Sequence, residues 1–191
     1  MLGASAGVRE TLLSMTSGGD KVLDIGCGNA EIYPYLRQKY KEIWGVDCDL
    51  YPNQKQYDHF KQIDLNKRTL EVFEKPGMFD SVVAVELVEH LENQRQFLRD
   101  CKRLIKDSGE IIFTTPNPEC YMSRSMFATM GKFQWFTDLD NTRSGHITPL
   151  FPFQLAWFCR DVGLKITNFA YNDFYTQEVT IYRLVKEGIK I

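Results

Sequence analysis

No apolar run in the chain approaches the roughly 18 residues of a membrane span. The first residues, Met1-Leu-Gly-Ala-Ser-Ala, lack the basic start and long apolar core of a secretion signal. Neither a span nor an export route is expected. The five cysteines, Cys27, Cys48, Cys101, Cys120 and Cys159, form no CxxC pair and no finger spacing, and their number is odd. That disfavours a disulfide framework and points to reduced thiols in a cytoplasmic protein. Charge of one sign is also missing: 25 acidic residues face 23 basic ones, a net −2, so no broad field draws nucleic acid or an acidic membrane. Repeats, low-complexity tracts and linkers are absent. What is present is 191 residues, 43% of them apolar, enough for one domain over 1–191.

Along that domain, Val8, Leu12, Leu13 and Thr16 keep helical intervals and predict a short amphipathic helix covering one sheet edge. Short, continuous apolar segments at 21–25, 42–47, 59–63 and 79–85 predict strands covered on both faces. A helix is expected over 30–40, a helical turn at 86–91 and a longer helix over 94–105 closed by Asp107-Ser-Gly109, before a fifth strand at 110–115. This strand–helix rhythm implies a parallel sheet built from right-handed crossovers. It breaks at 116–145, where Met122, Met126 and Met130 stand four apart, either as a helix packed on its own core or as an apolar substrate lid. A last helix over 151–161 and two antiparallel strands at 164–169 and 178–185 complete the pattern.

The segment that carries most information is Val22-Leu-Asp-Ile-Gly-Cys-Gly-Asn-Ala30, an apolar strand that breaks into glycines before a helix. Such a turn brings bare backbone N–H groups to a ligand. A dinucleotide fingerprint requires glycine where Glu31 stands, and a phosphate loop requires Gly-Lys-Ser/Thr, which the turn lacks. Asp47 and Asp64 end the next two strands, so three neighbouring strand ends offer a backbone cradle and two acceptors. That set suits a nucleoside without phosphates.

In order and spacing, these segments, with Gly45-Val-Asp47, Ile63-Asp64-Leu65 and Phe79-Asp-Ser-Val-Val-Ala84, resemble the successive motifs of class I S-adenosylmethionine-dependent methyltransferases over nearly all of the chain. The resemblance implies an α/β, Rossmann-like, seven-stranded fold in three αβα layers, mostly parallel with an antiparallel last strand. It makes 116–148 an irregular, helical insertion on the substrate side, and it implies S-adenosylmethionine as cofactor. Asp24 and the backbone around Gly26, Cys27 and Gly28 would surround the methionine part, and Asp47 would bind the ribose hydroxyls. Asp64 would accept from the adenine amino group, Leu65 or Leu50 would pack on the base, and Cys48 and Val85 would complete the cofactor contacts. Asp24 bracing the turn and Cys27 filling space are the plainer structural readings. Ala30 replaces a glycine frequent in the family and is small enough for a tight helix start.

Methyl transfer from a sulfonium is an in-line displacement that must align a nucleophile and at times remove its proton. After the fourth strand the chain reads Glu86-Leu-Val-Glu-His90, with Glu86 and His90 four apart; His146 follows in a later loop. Glu86, Glu89, His90 and His146 would make a divalent site for Mg2+ or a similar ion, able to hold a diol and lower its pKa. The pattern resembles two branches: ubiquinone-biosynthesis enzymes that methylate a catechol-like hydroxyl, and small-RNA 2′-O-methyltransferases, which Thr115-Pro-Asn117 also resembles. In 116–148, Arg124, Lys132 and Arg143 are balanced by Glu119, Asp138 and Asp140, which disfavours RNA. Glu-His-Leu also follows this strand in metal-free members, where the histidine caps or lines the pocket; His90 or His146 would then serve as general base. Glu86, Tyr121, Trp135, Phe136 and Phe151 are candidate acceptor contacts, the aromatics equally candidates for core, and His59 is expected exposed and without a catalytic part. The leading expectation is O-methylation of a small or lipid-like hydroxylated substrate. An RNA 2′-O-methyltransferase and a non-catalytic cofactor-binding partner subunit are the alternatives, and neither monomer nor homodimer is favoured.

Overall fold

The computed structural model describes residues 6–173 and 175–188. Its strands are β1 (Gly19–Ile25), β2 (Tyr40–Asp47), β3 (His59–Gln62), β4 (Phe79–Ala84), β5 (Ile105–Pro116), β6 (Leu164–Tyr171) and β7 (Val179–Lys186). They form one sheet in the order β3-β2-β1-β4-β5-β7-β6. β1 to β5 are parallel, and β7 runs antiparallel to both β5 and β6. The mostly parallel sheet with an antiparallel last strand is therefore as expected.

Side chains alternate across this sheet and fill two cores. Val22, Val83, Ile112 and Ile181 face α1 (Ala6–Met15) with its Leu12 and Met15. Leu23, Ile25, Val82, Ile111 and Phe113 face α3 (Gln94–Leu104) and α6 (Pro152–Val162), which contribute Phe97, Leu98, Leu104 and Leu155. The result is three αβα layers. α1 lies against β5, β7 and β6 rather than merely capping an edge. Among the described residues, no helix is long and apolar enough to cross a membrane.

Three local expectations are corrected, and one helix is added. The helix expected over 30–40 shrinks to α2 (Tyr33–Leu36), because Ala30 turns left-handed at φ 63° and Pro34 suits only a helix's first turn. Asp107-Ser-Gly109 does not close α3. The helix ends at Leu104, and residues 106–109 bulge within β5 opposite Asp80, between the pairs Phe79–Ile105 and Ser81–Glu110. The methionines of α4 (Tyr121–Met130) do not pack on the core: Met122 is 52% and Met130 65% exposed, and Ser123 is the helix's buried residue. An additional helix, α5 (Asp138–Ser144), forms between a Thr137–Asp140 capping box and Gly145, which is left-handed at φ 75°.

Candidate functional site

The strand order reverses between β1 and β4, and open α/β sheets bind ligands beyond the carboxyl ends of such strands. On one side of that point lies the glycine turn. Gly26 and Gly28 take φ 71° and 50°, and the Gly26 and Cys27 N–H groups donate to Val46 O at 2.8 and 3.1 Å. A side chain on Gly28 would meet no heavy atom within 4 Å, so bare backbone faces open space there. Asp47, nearly buried, accepts from Gly28 N at 2.7 Å and Asp49 N at 2.9 Å. Each oxygen keeps acceptor capacity for a diol.

Asp24 takes the bracing position. It is 1% exposed, the Tyr57 hydroxyl donates to its Oδ2, and burial pushes its carboxyl up to about 7. Cys27 is buried below the turn, where desolvation raises its thiol pKa. Cys48 is exposed, with burial of its sulfur and then Asp47 pushing its pKa up to about 11. Asp64 pairs with Lys67 at 2.8 Å, which holds its carboxyl below the ordinary value. Leu65 and Val85 are partly buried against the two cores, whereas Leu50 is 68% exposed. His59 lies on the surface stacked on Trp44 and touching Glu42.

Sequence reasoning missed Arg9. Its guanidinium reaches from α1 to Glu31 at 2.9 Å, just beyond the glycine turn, and its Nε is buried with no hydrogen-bond partner among the described residues. The signal was thin: Arg9 is the one basic residue of that helix.

The other side of the switch point is built from the turn after β4 and the segment before α6. Backbone bonds tie the two together. Ile147 N and Thr148 N donate to Glu89 O at 3.0 and 3.1 Å, and Gln94 Nε2 bridges Val88 O and Thr148 O. The tie brings His146 to His90, ring centroids 4.8 Å apart. His90 Nδ1 lies 3.1 Å from Gly145 O and His146 Nδ1 lies 2.7 Å from Trp135 O, so each ring that donates Nδ1–H to its carbonyl presents Nε2 as the basic nitrogen. Trp135 holds that carbonyl in place from a left-handed backbone, φ 66°.

Glu89 is completely buried, and neither of its carboxylate oxygens has a hydrogen-bond partner within bonding distance among the described residues. One ligand atom from each of Glu89, His90 and His146 lies within 4.8 Å of the others. Burial, and then the nearby Glu86 charge, hold the Glu89 carboxyl well above its ordinary pKa. Burial and then His146 lower that of His90. Glu86 does not join the three. Its Oε1 accepts from the Thr114 hydroxyl at 2.6 Å, and burial pushes its carboxyl up to about 7.

A cleft of about 310 Å³ opens beside His146, lined by Phe133, Phe136, Ile147 and Pro149 together with the Lys132–Asp138 ion pair. Of the candidate acceptor aromatics, Phe136 lines it, 5.7 Å from His146. Tyr121 is 78% exposed at the start of α4, Trp135 serves through its backbone, and Phe151 links Phe133 to Phe153 through ring contacts of 5.2 and 5.5 Å.

A family model described as a methyltransferase domain matches residues 5–168. A ubiquinone biosynthesis O-methyltransferase of Pseudomonas aeruginosa is 29% identical over 156 residues, a match covering 78% of this chain and 66% of that protein. The chain thus matches just under two thirds of the length of such relatives. Among solved structures, an S-adenosylmethionine-dependent methyltransferase from Mesorhizobium loti superposes with a TM-score of 0.70 at 13% identity, over 94% of this chain and 98% of that one. Another from Archaeoglobus fulgidus gives 0.67 at 19%, over 94% and 93%. With the seven-stranded sheet, these matches show that the chain belongs to the methyltransferase-domain family and has the fold of the S-adenosylmethionine-dependent methyltransferases.

Proposed function

We propose that this methyltransferase acts on a hydroxyl oxygen of a small or lipid-like acceptor, and that Glu89, His90 and His146 hold a divalent cation, Mg2+ or similar, beside that oxygen. The observation that carries the reading is Glu89: a buried carboxylate with no hydrogen-bond partner among the described residues, set against two imidazoles whose Nδ1 atoms are already bound to carbonyls. An isolated buried carboxylate is costly unless paired or bound to a metal. On the donor side, Asp47 would take the ribose diol, the open backbone at Gly26 and Gly28 the methionine portion, and Arg9 its carboxylate, with Asp24 bracing from below. Asp64 and Leu65 would meet the adenine.

In the reaction, the acceptor oxygen attacks the methyl carbon while the carbon–sulfur bond breaks, its electron pair leaving on sulfur, and the hydroxyl proton is lost. A bound cation would supply Lewis acidity that lowers the hydroxyl pKa, so that loss of the proton requires no dedicated base. The protein's part is alignment: Gly145 O and Trp135 O fix both rings, and the Ile147 and Thr148 N–H groups fix the Glu89 backbone. The Lys132–Asp138 pair leaves the cleft without net positive charge, which favours a small molecule over an RNA backbone. Five free thiols, four of them buried, support a reducing, cytoplasmic setting.

The non-catalytic partner reading has one observation in its favour, the exposed apolar face of α4 formed by Tyr121, Met122, Phe127 and Met130. An open cleft beside the histidines weighs against it. The test is Mn2+ binding followed by electron paramagnetic resonance, with methyl transfer to 3,4-dihydroxybenzoate as a model diol. One bound ion lost in both Glu89→Gln and His146→Ala, and transfer abolished by chelator and restored by Mg2+, are expected. Chelator-resistant transfer, or unchanged Mn2+ binding in both variants, would overturn the reading.

A further inference from the structure

A parallel crossover is usually helical, yet the connection from β2 to β3, residues 48–58, holds only a 3-10 turn at Pro52–Gln56. Its inward groups go to the glycine turn instead. Tyr57 caps Asp24, and Asn53 N donates to Asn29 Oδ1 at 3.1 Å. Gln54, 4% exposed, does more: its Nε2 donates to Gly28 O and to Asp49 O, both at 3.0 Å, and its Oε1 accepts the Tyr51 N–H at 2.9 Å. Both amide protons and the side-chain carbonyl are thereby used.

Gln54 and Asp47 hold the same two residues by opposite ends. Asp47 accepts the N–H groups of Gly28 and Asp49, and Gln54 donates to the carbonyls of that pair. Neither residue is held by packing: Gly28 stands at φ 50° with open space where a side chain would be, and Asp49 is exposed. Their orientation, and with it the direction in which the two N–H groups aim the Asp47 carboxylate, depends on the clamp. Building on the reading that Asp47 takes the ribose diol, we propose that Gln54 is a positioning residue for that contact. Its burial leaves it little surface for the cofactor, so it acts through the Asp47 oxygens. Any effect through the Gly28 backbone on the methionine portion is common to ligands with and without the diol, and cancels when the two are compared.

Calorimetric titrations with S-adenosylhomocysteine and its 2′,3′-dideoxy analogue test this, with thermal melts to confirm folding. The wild type is expected to prefer the diol by about tenfold or more, the worth of a hydrogen bond to a charged acceptor. Gln54→Met keeps the length of the side chain and removes its bonds to Gly28, Asp49 and Tyr51, so the preference is expected to fall to about threefold or less. A merely structural loss weakens both ligands by one factor and leaves their ratio unchanged; an unchanged ratio in Gln54→Met therefore overturns the proposal. Where Gln54→Met does not fold, Gln54→Asn, whose amide stops a methylene short of both carbonyls, carries the same expectation and the same refutation. Asp47→Ala is expected to lose the preference outright, and adding Gln54→Met to it to change the ratio no further. A further change in the double variant would mean that Gln54 acts by another route, and overturns the proposal too. A wild type that does not distinguish the two ligands, or a preference retained in Asp47→Ala, would instead refute the ribose assignment of Asp47, and the role of Gln54 with it.

Discussion

Replacing Glu89 by glutamine is expected to flatten the loss of stability that the cation-free protein suffers as pH rises, while abolishing its response to Mn2+. Glu89 is fully buried without hydrogen-bond partners among the described residues, and its folded pKa lies well above the ordinary 4.5. A raised acid pKa means that the folded state keeps a proton the unfolded chain gives up. The stabilising difference is whole below about 4.5 and declines with rising pH until the folded pKa is reached. Across that window the slope is about 1.4 kcal/mol per pH unit for one group. Glutamine has the same shape and does not titrate; its buried amide imposes a constant offset that cancels when slopes are compared, as does the titration of Asp24, common to both proteins. Between about pH 5.5 and 6.5 in chelator, the wild type is thus expected to lose stability relative to the variant, by up to about 1.4 kcal/mol for one group, or up to about 3 to 6 °C in Tm for a chain of this size. Thermal melts at the two pH values measure it, and a repeat with excess Mn2+ is expected to raise the wild-type Tm alone. Parallel pH profiles for the two proteins would show that the Glu89 carboxyl is not sealed from water and would refute the reasoning.

Gly45→Ala places a methyl group 2.9 Å from the Tyr57 ring that caps Asp24, and overpacking of that kind costs about 1 to 3 kcal/mol. A lower urea midpoint is the expected result; an unchanged one would mean that the ring yields freely. Arg9→Ala removes the cation beside the glycine turn and is expected to weaken binding of the cofactor product by about tenfold or more in calorimetry, the worth of a charge-assisted hydrogen bond. Equal affinity would confine Arg9 to its ion pair with Glu31. Asp47→Ala deletes the acceptor for Gly28 N–H together with the proposed ribose contact, so a loss of at least about tenfold in the same assay is expected; retained affinity would place the ribose elsewhere.

The central strands were readable because a sheet covered on both faces writes itself as short continuous apolar runs, and six of the seven strands fall within two residues of their expected bounds, whereas β5 starts five residues early. Helices were less legible where backbone geometry rather than apolar periodicity decides them. Ala30 and Pro34 cut α2 to a single turn, and α5 rests on a capping box and a left-handed glycine without a buried face. The methionine spacing of α4 is genuinely helical, but periodicity does not say which way a face points. In the site, the structure brings Glu89 and His90 of the Glu-x-x-Glu-His segment together with His146, 56 residues after His90. Spacing does not disclose the bond of Glu86 to Thr114, which lies on a neighbouring strand 28 residues later. Arg9 was missed for the same reason: its significance comes from a partnerless nitrogen, which only a folded chain displays.

The two backbone bonds from Ile147 and Thr148 to the Glu89 carbonyl also shape how such an enzyme diversifies. They pin the far end of the irregular segment to the strand-four turn by main-chain atoms alone, so the pin is indifferent to the side chains on either side of it. The stretch from Glu119 to Ser144 can then vary and alter the cleft wall, provided that position 135 still offers its carbonyl to His146. On the proposed reading, acceptor choice can drift in that stretch without touching the donor cradle on the other side of the sheet's switch point.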